Sequence, residues 1–132
     1  MQTVKAINEA EAFNGPSLVI AYSHCIAHGY DMARGLDQQK NAVASGYWPL
    51  FRFNPALLQE GKNALQLDSK PPSLPLEKYI YNETRYSMLM HSNPGEAKEL
   101  LQMAREDVKQ RWNLYEYLAS MSVNGQAAKE KA

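Results

Sequence analysis

The stretch that decides the fold spans residues 15–29 and reads GPSLVIAYSHCIAHG. Its segment from Ser17 to Tyr22 is a continuous apolar run and does not alternate with polar residues. Such a run predicts a β-strand covered on both faces, as in a parallel sheet with helices on each side. In open α/β sheets, ligands bind beyond the carboxyl ends of the strands. Because polar side chains follow the run directly, we predict a functional site just after Tyr22.

Three ligand-capable side chains, His24, Cys25 and His28, lie in the loop after this predicted strand. A thiolate can be a nucleophile, a metal ligand or a ligand of an iron–sulfur cluster, whereas many lone cysteines are buried apolar side chains. The three residues could form a zinc site, or the histidines could only form hydrogen bonds that tune the charge of the loop. The chain has one cysteine, and a [4Fe–4S] cluster needs four thiolates. A cluster on Cys25 would therefore need three ligands from elsewhere.

Other polar residues give weaker signals. Asp31 and Arg34 could pair or meet a phosphate, and a solvated surface pair is favoured. Glu83 and Arg85 are predicted to be solvated helix charges. The sequence has no GxGxxG or Walker phosphate loop, and no catalytic triad or carboxylate pair stands out. The loop around Cys25 is thus the main candidate site.

Around this stretch, hydrophobic spacing predicts a helix over 3–13 with Thr3 as N-cap, ended by the triplet at 14–16. A short helix over 37–45 should stop at Gly46. The aromatic stretch 47–53 predicts a strand that packs into the core, and Pro49 favours a sheet edge. Residues 54–75 are predicted to be irregular around a short extended segment at 64–68, followed by a helix over 76–90.

The last helix has the clearest signals. Asn93 is a good N-cap, Pro94 suits the first turn and Glu96 completes a capping box. The helix is predicted to run from Pro94 to about residue 119, with an i,i+4 pair between Asp107 and Arg111. Its long apolar stripe predicts packing on another domain or subunit. The polar tail from 121 to 132 is predicted to be disordered.

Composition limits the partners. The chain of 132 residues has 14 basic and 14 acidic side chains, which argues against general binding of nucleic acid. No stretch reaches the roughly 20 apolar residues of a membrane helix, and the start lacks the order of a secretory signal. With one unpaired cysteine, we expect a cytoplasmic protein.

Three segments, 15–29, 44–55 (ASGYWPLFRFNP) and 61–70 (GKNALQLDSK), resemble in order and spacing the pyruvate:ferredoxin (flavodoxin) oxidoreductases. The likeness runs from about Gln2 to about Leu118. It implies the C-terminal portion of an enzyme that oxidatively decarboxylates pyruvate with coenzyme A to acetyl-CoA. In that family, electrons pass from thiamine diphosphate through [4Fe–4S] clusters to ferredoxin or flavodoxin.

The resemblance also implies one site residue. Cys25 matches the last ligand of the [4Fe–4S] cluster nearest the thiamine. The other three ligands, and the segment that binds magnesium and thiamine diphosphate, lie upstream in the family and are absent here. Met1 matches an interior position, so we expect a segment of a longer protein that is inactive alone; a free-standing binding or regulatory remnant is the alternative.

These implications define the expected architecture, an α/β fragment. Residues 1–55 should be the end of a parallel-sheet thiamine-binding domain, residues 56–120 a wrapping arm with the long helix, and 121–132 a disordered tail. The expected partners are the remainder of the oxidoreductase, ferredoxin or flavodoxin, pyruvate and coenzyme A.

 The whole oxidoreductase is expected to form a homodimer.

Overall fold

The structure is a computed structural model that describes residues 1–122 of the chain. Helices dominate it, and a long helix ends the described part. The helices and strands are α1 (Gln2–Ala12), α2 (Gly35–Ala44), β1 (Phe51–Phe53), β2 (Leu65–Leu67), α3 (Glu77–Ile80), α4 (Thr84–Ser92) and α5 (Pro94–Ser120). Short 3₁₀ helices span Ile26–His28, Met32–Arg34 and Pro55–Glu60. Within residues 1–122 no helix is both long and apolar enough to cross a membrane.

The predicted strand at 17–22 does not form. This segment has no regular secondary structure, and the side chains of Leu18 and Ile20 are 83% and 71% exposed. A strand needs a neighbour to complete its hydrogen-bond ladder, and no segment within residues 1–122 pairs with this one. The apolar run therefore predicted the wrong local structure, and the parallel sheet is not confirmed.

The sheet that does form is antiparallel and has two strands, β1 and β2. Phe51 lies opposite Leu67, Arg52 opposite Gln66 and Phe53 opposite Leu65. The short extended segment predicted at 64–68 is thereby confirmed. Both strands are edges, which agrees with the position predicted from Pro49.

The hydrophobic core lies where α2, α3 and α5 meet. Its buried members are Ala42, Leu76, Tyr79, Ile80 and Val108. Tyr47 and Trp48 pack against this group, as the aromatic stretch predicted. The prediction was wrong for Phe51 and Phe53, which are exposed, because alternation along β1 turns Arg52 inward instead.

The helix α1 forms as predicted, but Met1 is its N-cap and Thr3 lies within its first turn. It is attached to the sheet through Arg52. The guanidinium donates to both carboxylate oxygens of Asp68, at 2.7 and 2.9 Å, and to the side chains of Gln66 and Glu9. Gln2 also donates to Asp68 at 3.0 Å. Polar contacts therefore fix α1, which has no buried residue.

The helix predicted over 76–90 is broken into α3 and α4. Glu83 interrupts it with extended backbone (φ −102°, ψ 128°) at the N-cap of α4. Its side chain is buried together with that of Tyr79. The break therefore directs the Glu83 carboxylate into the protein interior, although Glu83 was predicted to be a solvated charge on a continuous helix.

The stop at Gly46 and the start of α5 follow the prediction. Gly46 has φ +75°, and the Asn93 side chain accepts a hydrogen bond from the amide of Glu96. Two predicted details are wrong. Glu96 accepts a hydrogen bond from the Asn93 side chain, and no capping box forms. Arg111 lies over the Tyr47 ring instead of pairing with Asp107.

The apolar stripe of α5 is partly covered by this chain. Ala97, Val108 and Trp112 are buried, against α4 and β2 among other elements. Leu100 on the same stripe stays exposed. Asn63 donates to the carbonyls of Leu118, Ala119 and Met121 and so satisfies the C-terminal end of the helix. The predicted disordered tail lies, from residue 123 onward, outside the described residues.

Candidate functional site

The Cys25 loop, defined here as residues 23–29, presents an exposed thiol. Cys25 is a free cysteine on the surface, with extended backbone (φ −147°, ψ 142°), and it is the N-cap of the 3₁₀ helix Ile26–His28. The alternative that Cys25 is a buried, apolar side chain is therefore wrong. An exposed thiol can reach a partner outside the chain.

Gly29 fixes the C-terminal end of the loop. Its φ of +72° lies in the left-handed region, which favours glycine. Its carbonyl accepts a hydrogen bond from the amide of Thr84 at 2.9 Å and another from the Thr84 hydroxyl. A Cβ at this position would lie 2.7 Å from the Thr84 Cβ. Both the backbone angle and the close approach therefore require glycine.

The side chain of Glu83 lies beneath the loop and is 1% exposed. Its Oε2 accepts from Arg85 Nε at 2.6 Å, and its Oε1 accepts from Gln38 Nε2 at 3.0 Å. The Nδ1 of His28 lies 3.7 Å from Oε1. A buried carboxylate is costly unless it is paired and hydrogen-bonded, and these three neighbours provide those partners.

Sequence reasoning missed Glu83 by treating it as solvated. A signal was present, because Glu83 follows Tyr79 by four residues and Ile80 by three. In a helix, this spacing places all three residues on the same face. Since Tyr79 and Ile80 are apolar side chains within the helix predicted over 76–90, a carboxylate on their face marks a candidate buried charge.

Tyr22 fixes the other end of the loop. Its hydroxyl lies 3.0 Å from that of Tyr79 and accepts from Arg85 Nη2 at 3.1 Å, while its ring stacks on Trp48 with 4.9 Å between centroids. Burial, and then the hydrogen bond to Tyr22, raise the pKa of Tyr79 above its ordinary value. Tyr79 therefore stays a neutral phenol at physiological pH.

Arg85 connects the two ends of the loop, since it donates to both Glu83 and Tyr22. Burial is the largest single influence on the pKa of Arg85 and would lower it, but the hydrogen bonds to Tyr22 and Glu83 and the nearby charges together raise it above its ordinary value. The guanidinium is therefore charged.

Tyr30 directly follows the loop. Its hydroxyl is buried and has no hydrogen-bond partner among the described residues. Burial, and then the charge of Glu83, raise the pKa of Tyr30.

The other predicted candidates do not converge on Cys25. Within residues 1–122 no group of three His, Cys, Asp or Glu side chains is arranged to hold a metal ion, so the zinc site is not supported. His28 faces Glu83, and His24 lies against Gly35, where an added Cβ would be 2.8 Å from its ring. Asp31 accepts from the amide of Ala33 and caps a short 3₁₀ helix.

Comparison with known proteins gives close relatives. No family model matches the chain. It is 55% identical over 119 residues to a pyruvate-flavodoxin oxidoreductase of Nostoc sp., covering 90% of this chain and 10% of that protein. It is 48% identical to the probable pyruvate-flavodoxin oxidoreductase of Escherichia coli, over 92% of this chain and 10% of the relative. It is 45% identical to the pyruvate:ferredoxin oxidoreductase of Moorella thermoacetica, over 89% and 10% respectively.

These relatives confirm the resemblance identified from the three sequence segments. The chain spans about a tenth of the length of the curated relatives it matches. The match covers most of the chain, including the part that contains the Cys25 loop and its supports.

Proposed function

This chain is homologous to one segment of the pyruvate-flavodoxin oxidoreductases, and we propose that it works as part of such an enzyme. The proposed reaction is oxidative decarboxylation of pyruvate with coenzyme A to acetyl-CoA and carbon dioxide. Electrons then leave through iron–sulfur clusters to ferredoxin or flavodoxin. Its main partner is the remainder of the oxidoreductase, without which the segment is inactive. The alternative of a free-standing binding module is not favoured by these relatives.

Cys25 is the proposed ligand of a [4Fe–4S] cluster. Its thiol is exposed on a loop fixed at both ends, which fits a ligand that must meet a cofactor held mostly by other residues. The chain has one cysteine, so the remaining three thiolates must come from the rest of the enzyme. When bound, such a cluster supplies one-electron transfer.

The other residues of this chain hold the loop in place. Thr84 and Gly29 fix its C-terminal end, and Tyr22 fixes its N-terminal end against Tyr79. The magnesium and thiamine diphosphate of the enzyme would bind elsewhere in the oxidoreductase. No residue of this chain is assigned to them.

The exposed apolar segment before the loop supports the proposed domain organisation. Leu18, Val19 and Ile20 are exposed, and burying such side chains is favourable by about 1.5–3 kcal/mol each. We assign residues 1–55 to the end of a parallel-sheet thiamine-binding domain, whose other strands would cover this segment. Residues 56–120 then form an arm that ends in α5.

The exposed Cys25 thiol is the observation that carries the proposal, and a segment exchange tests it. This chain would replace the matching segment in the Nostoc oxidoreductase, with and without Cys25→Ser. We expect the exchanged enzyme to reduce flavodoxin with pyruvate, and Cys25→Ser to lower iron and sulfide by up to one cluster per polypeptide. The control is Ser23→Ala, a nearby exposed position outside the proposed ligand set. Full iron content and activity in Cys25→Ser would overturn the assignment.

A further inference from the structure

Glu83 has contacts that reach both ends of the Cys25 loop. At the C-terminal end, its Oε1 lies 3.7 Å from His28 Nδ1, which is within ion-pair range but longer than a hydrogen bond. At the N-terminal end, Arg85 donates to Glu83 through Nε and to the Tyr22 hydroxyl through Nη2. The cysteine therefore lies between two residues that depend on the same carboxylate.

The body of the protein holds Glu83 rigidly. Gln38 of α2 donates to Oε1 of Glu83 and also to the carbonyl of Tyr79 in the core, both at 3.0 Å. The Gln38 side-chain oxygen accepts in turn from Asn82 at 3.1 Å. Glu83 is thus anchored to buried groups of α2 and α3, while its remaining contacts face the loop.

From this arrangement we infer that Glu83 is a positioning residue, whose buried carboxylate holds the Cys25 loop in place for the incoming iron–sulfur cluster. The inference rests on the proposed function of Cys25. Glu83 touches no reacting group itself and acts through His28, Arg85 and Tyr22. Positioning by a fixed supporting residue is a general requirement of cofactor ligands.

The carboxylate, and not only its shape, is needed for this role. Both of its oxygens accept hydrogen bonds, one from Gln38 and one from Arg85. An amide at this position has nearly the same size but only one acceptor oxygen. In Glu83→Gln, an NH₂ group would therefore face either Arg85 or Gln38, both of which are donors.

Hydrogen exchange in the 132-residue chain tests the positioning directly. The amides of His28, Gly29 and Thr84 form hydrogen bonds within or to the loop. In Glu83→Gln we expect their exchange to speed up by roughly tenfold, as expected when one charge-assisted hydrogen bond is lost. The amides in the middle of α5 should keep their rates.

Glu77→Gln is the matched control. Glu77 is a carboxylate one helix earlier in the chain, paired with Arg105 at 2.8 Å and away from the loop. The Glu77→Gln substitution should leave the exchange rates of the loop amides unchanged. If Glu83→Gln does not fold, His28→Ala removes the contact to Glu83 at the C-terminal end, together with the ring contacts of His28 to Tyr22 and Tyr30, and should still speed exchange at Gly29 and Thr84. Unchanged loop exchange in the folded variant, or an equal increase throughout α5, would overturn the positioning role.

The exchanged Nostoc enzyme separates this inference from the proposed function. Glu83→Gln should keep its iron but change the electron paramagnetic resonance signal of one cluster, and lower kcat more than it raises KM for pyruvate. In Glu83→Asp, which keeps the charge, the resonance signal and kcat should lie between those of the wild type and those of Glu83→Gln. Retained iron in Cys25→Ser would defeat the proposed function, and with it the role of Glu83 toward the cluster, even if loop exchange responds to Glu83→Gln. A wild-type resonance signal and kcat in Glu83→Gln, with the iron of one cluster lost in Cys25→Ser, would defeat the positioning role alone.

Discussion

Residues 1–34 and residues 35–122 differ in whether their apolar side chains are buried. No residue from 1 to 34 is buried, although this region holds the most continuous apolar run of the chain. The body from 35 onward has the buried core around Tyr79 and Val108. An apolar sequence is therefore not sufficient for burial, because burial also needs a surface of matching shape on the other side.

Polar contacts, together with the packing of the Tyr22 ring on Trp48, hold the first region on the second. Its attachments within the described chain include Gln2 to Asp68, Glu9 to Arg52, Tyr22 to Tyr79, His28 to Glu83 and Gly29 to Thr84. Such contacts fix position precisely enough for a ligand loop while leaving the apolar side chains exposed. Under the proposed function, those side chains are available to the neighbouring sheet.

The largest effect should come from the core of the body. Tyr79→Ala removes a buried aromatic ring and should lower the free energy of unfolding by about 3–5 kcal/mol. Chemical denaturation followed by the fluorescence of Trp48 and Trp112 would measure it. Tyr79→Phe, the control, loses only the hydroxyl contact to Tyr22 and should cost about 1 kcal/mol. Equal losses in the two variants would contradict a packing role for the ring.

A smaller effect should come from the attachment of α1. Asp68→Asn removes the charge that pairs with Arg52, whose side chain is buried, and should cost about 2 kcal/mol. The exposed Asp37, which pairs with Lys40 on the surface, serves as control, and Asp37→Asn should change stability by less than about 0.5 kcal/mol. If the two variants behaved alike, α1 would not depend on this ion pair.

The same carboxyl predicts an acid dependence. The hydrogen bond from Arg52 lowers the pKa of Asp68 below its ordinary value of 3.8, against the opposing effect of burial. The unfolded chain thus takes up this proton at a higher pH than the folded chain. The stabilisation is present above pH 3.8 and is lost as the pH falls through the lower folded pKa. Denaturation midpoints between pH 5 and 2 should fall less steeply in Asp68→Asn than in the wild type.

Gly29→Ala should act on the loop and little on the core. The left-handed backbone costs a residue with a Cβ about 1–2 kcal/mol, and that Cβ would meet Thr84. Hydrogen exchange should rise at Gly29 and Thr84 and stay constant in α5. Gly95→Ala, where the nearest atom to an added Cβ is 3.8 Å away, is the control. Uniform exchange changes in Gly29→Ala would show that the loop is not an independent unit.

The smallest effect on this chain should come from Ile20→Ser. Its side chain is exposed, so the stability should change by less than about 0.5 kcal/mol. In the exchanged Nostoc enzyme the same substitution should reduce folded yield, because the proposed neighbouring strands would bury the residue. A large loss of stability in the isolated chain would instead show that Ile20 is already packed within it.

The contrast between the regions also explains what sequence reasoning could predict. Local signals predicted α1, the stop at Gly46, β2 and the start of α5, because caps, glycine angles and periodicity act within a few residues. They failed at 17–22, where a strand depends on a distant partner, and at the break before α4. They also placed Glu83 in solvent, since burial of a charge depends on partners such as Gln38 that are far away in sequence.

By itself, the sequence determined the helix boundaries that local chemistry sets, the single thiol after the apolar run, and the resemblance that gives the thiol its proposed role. Only the tertiary structure decided that the apolar run stays exposed, that Arg52 and Glu83 are buried, and that both ends of the Cys25 loop depend on one carboxylate. The physical reason is distance along the chain: Glu83 lies 45 residues from Gln38. Only folding brings such groups close enough to offset the cost of removing a charge from water.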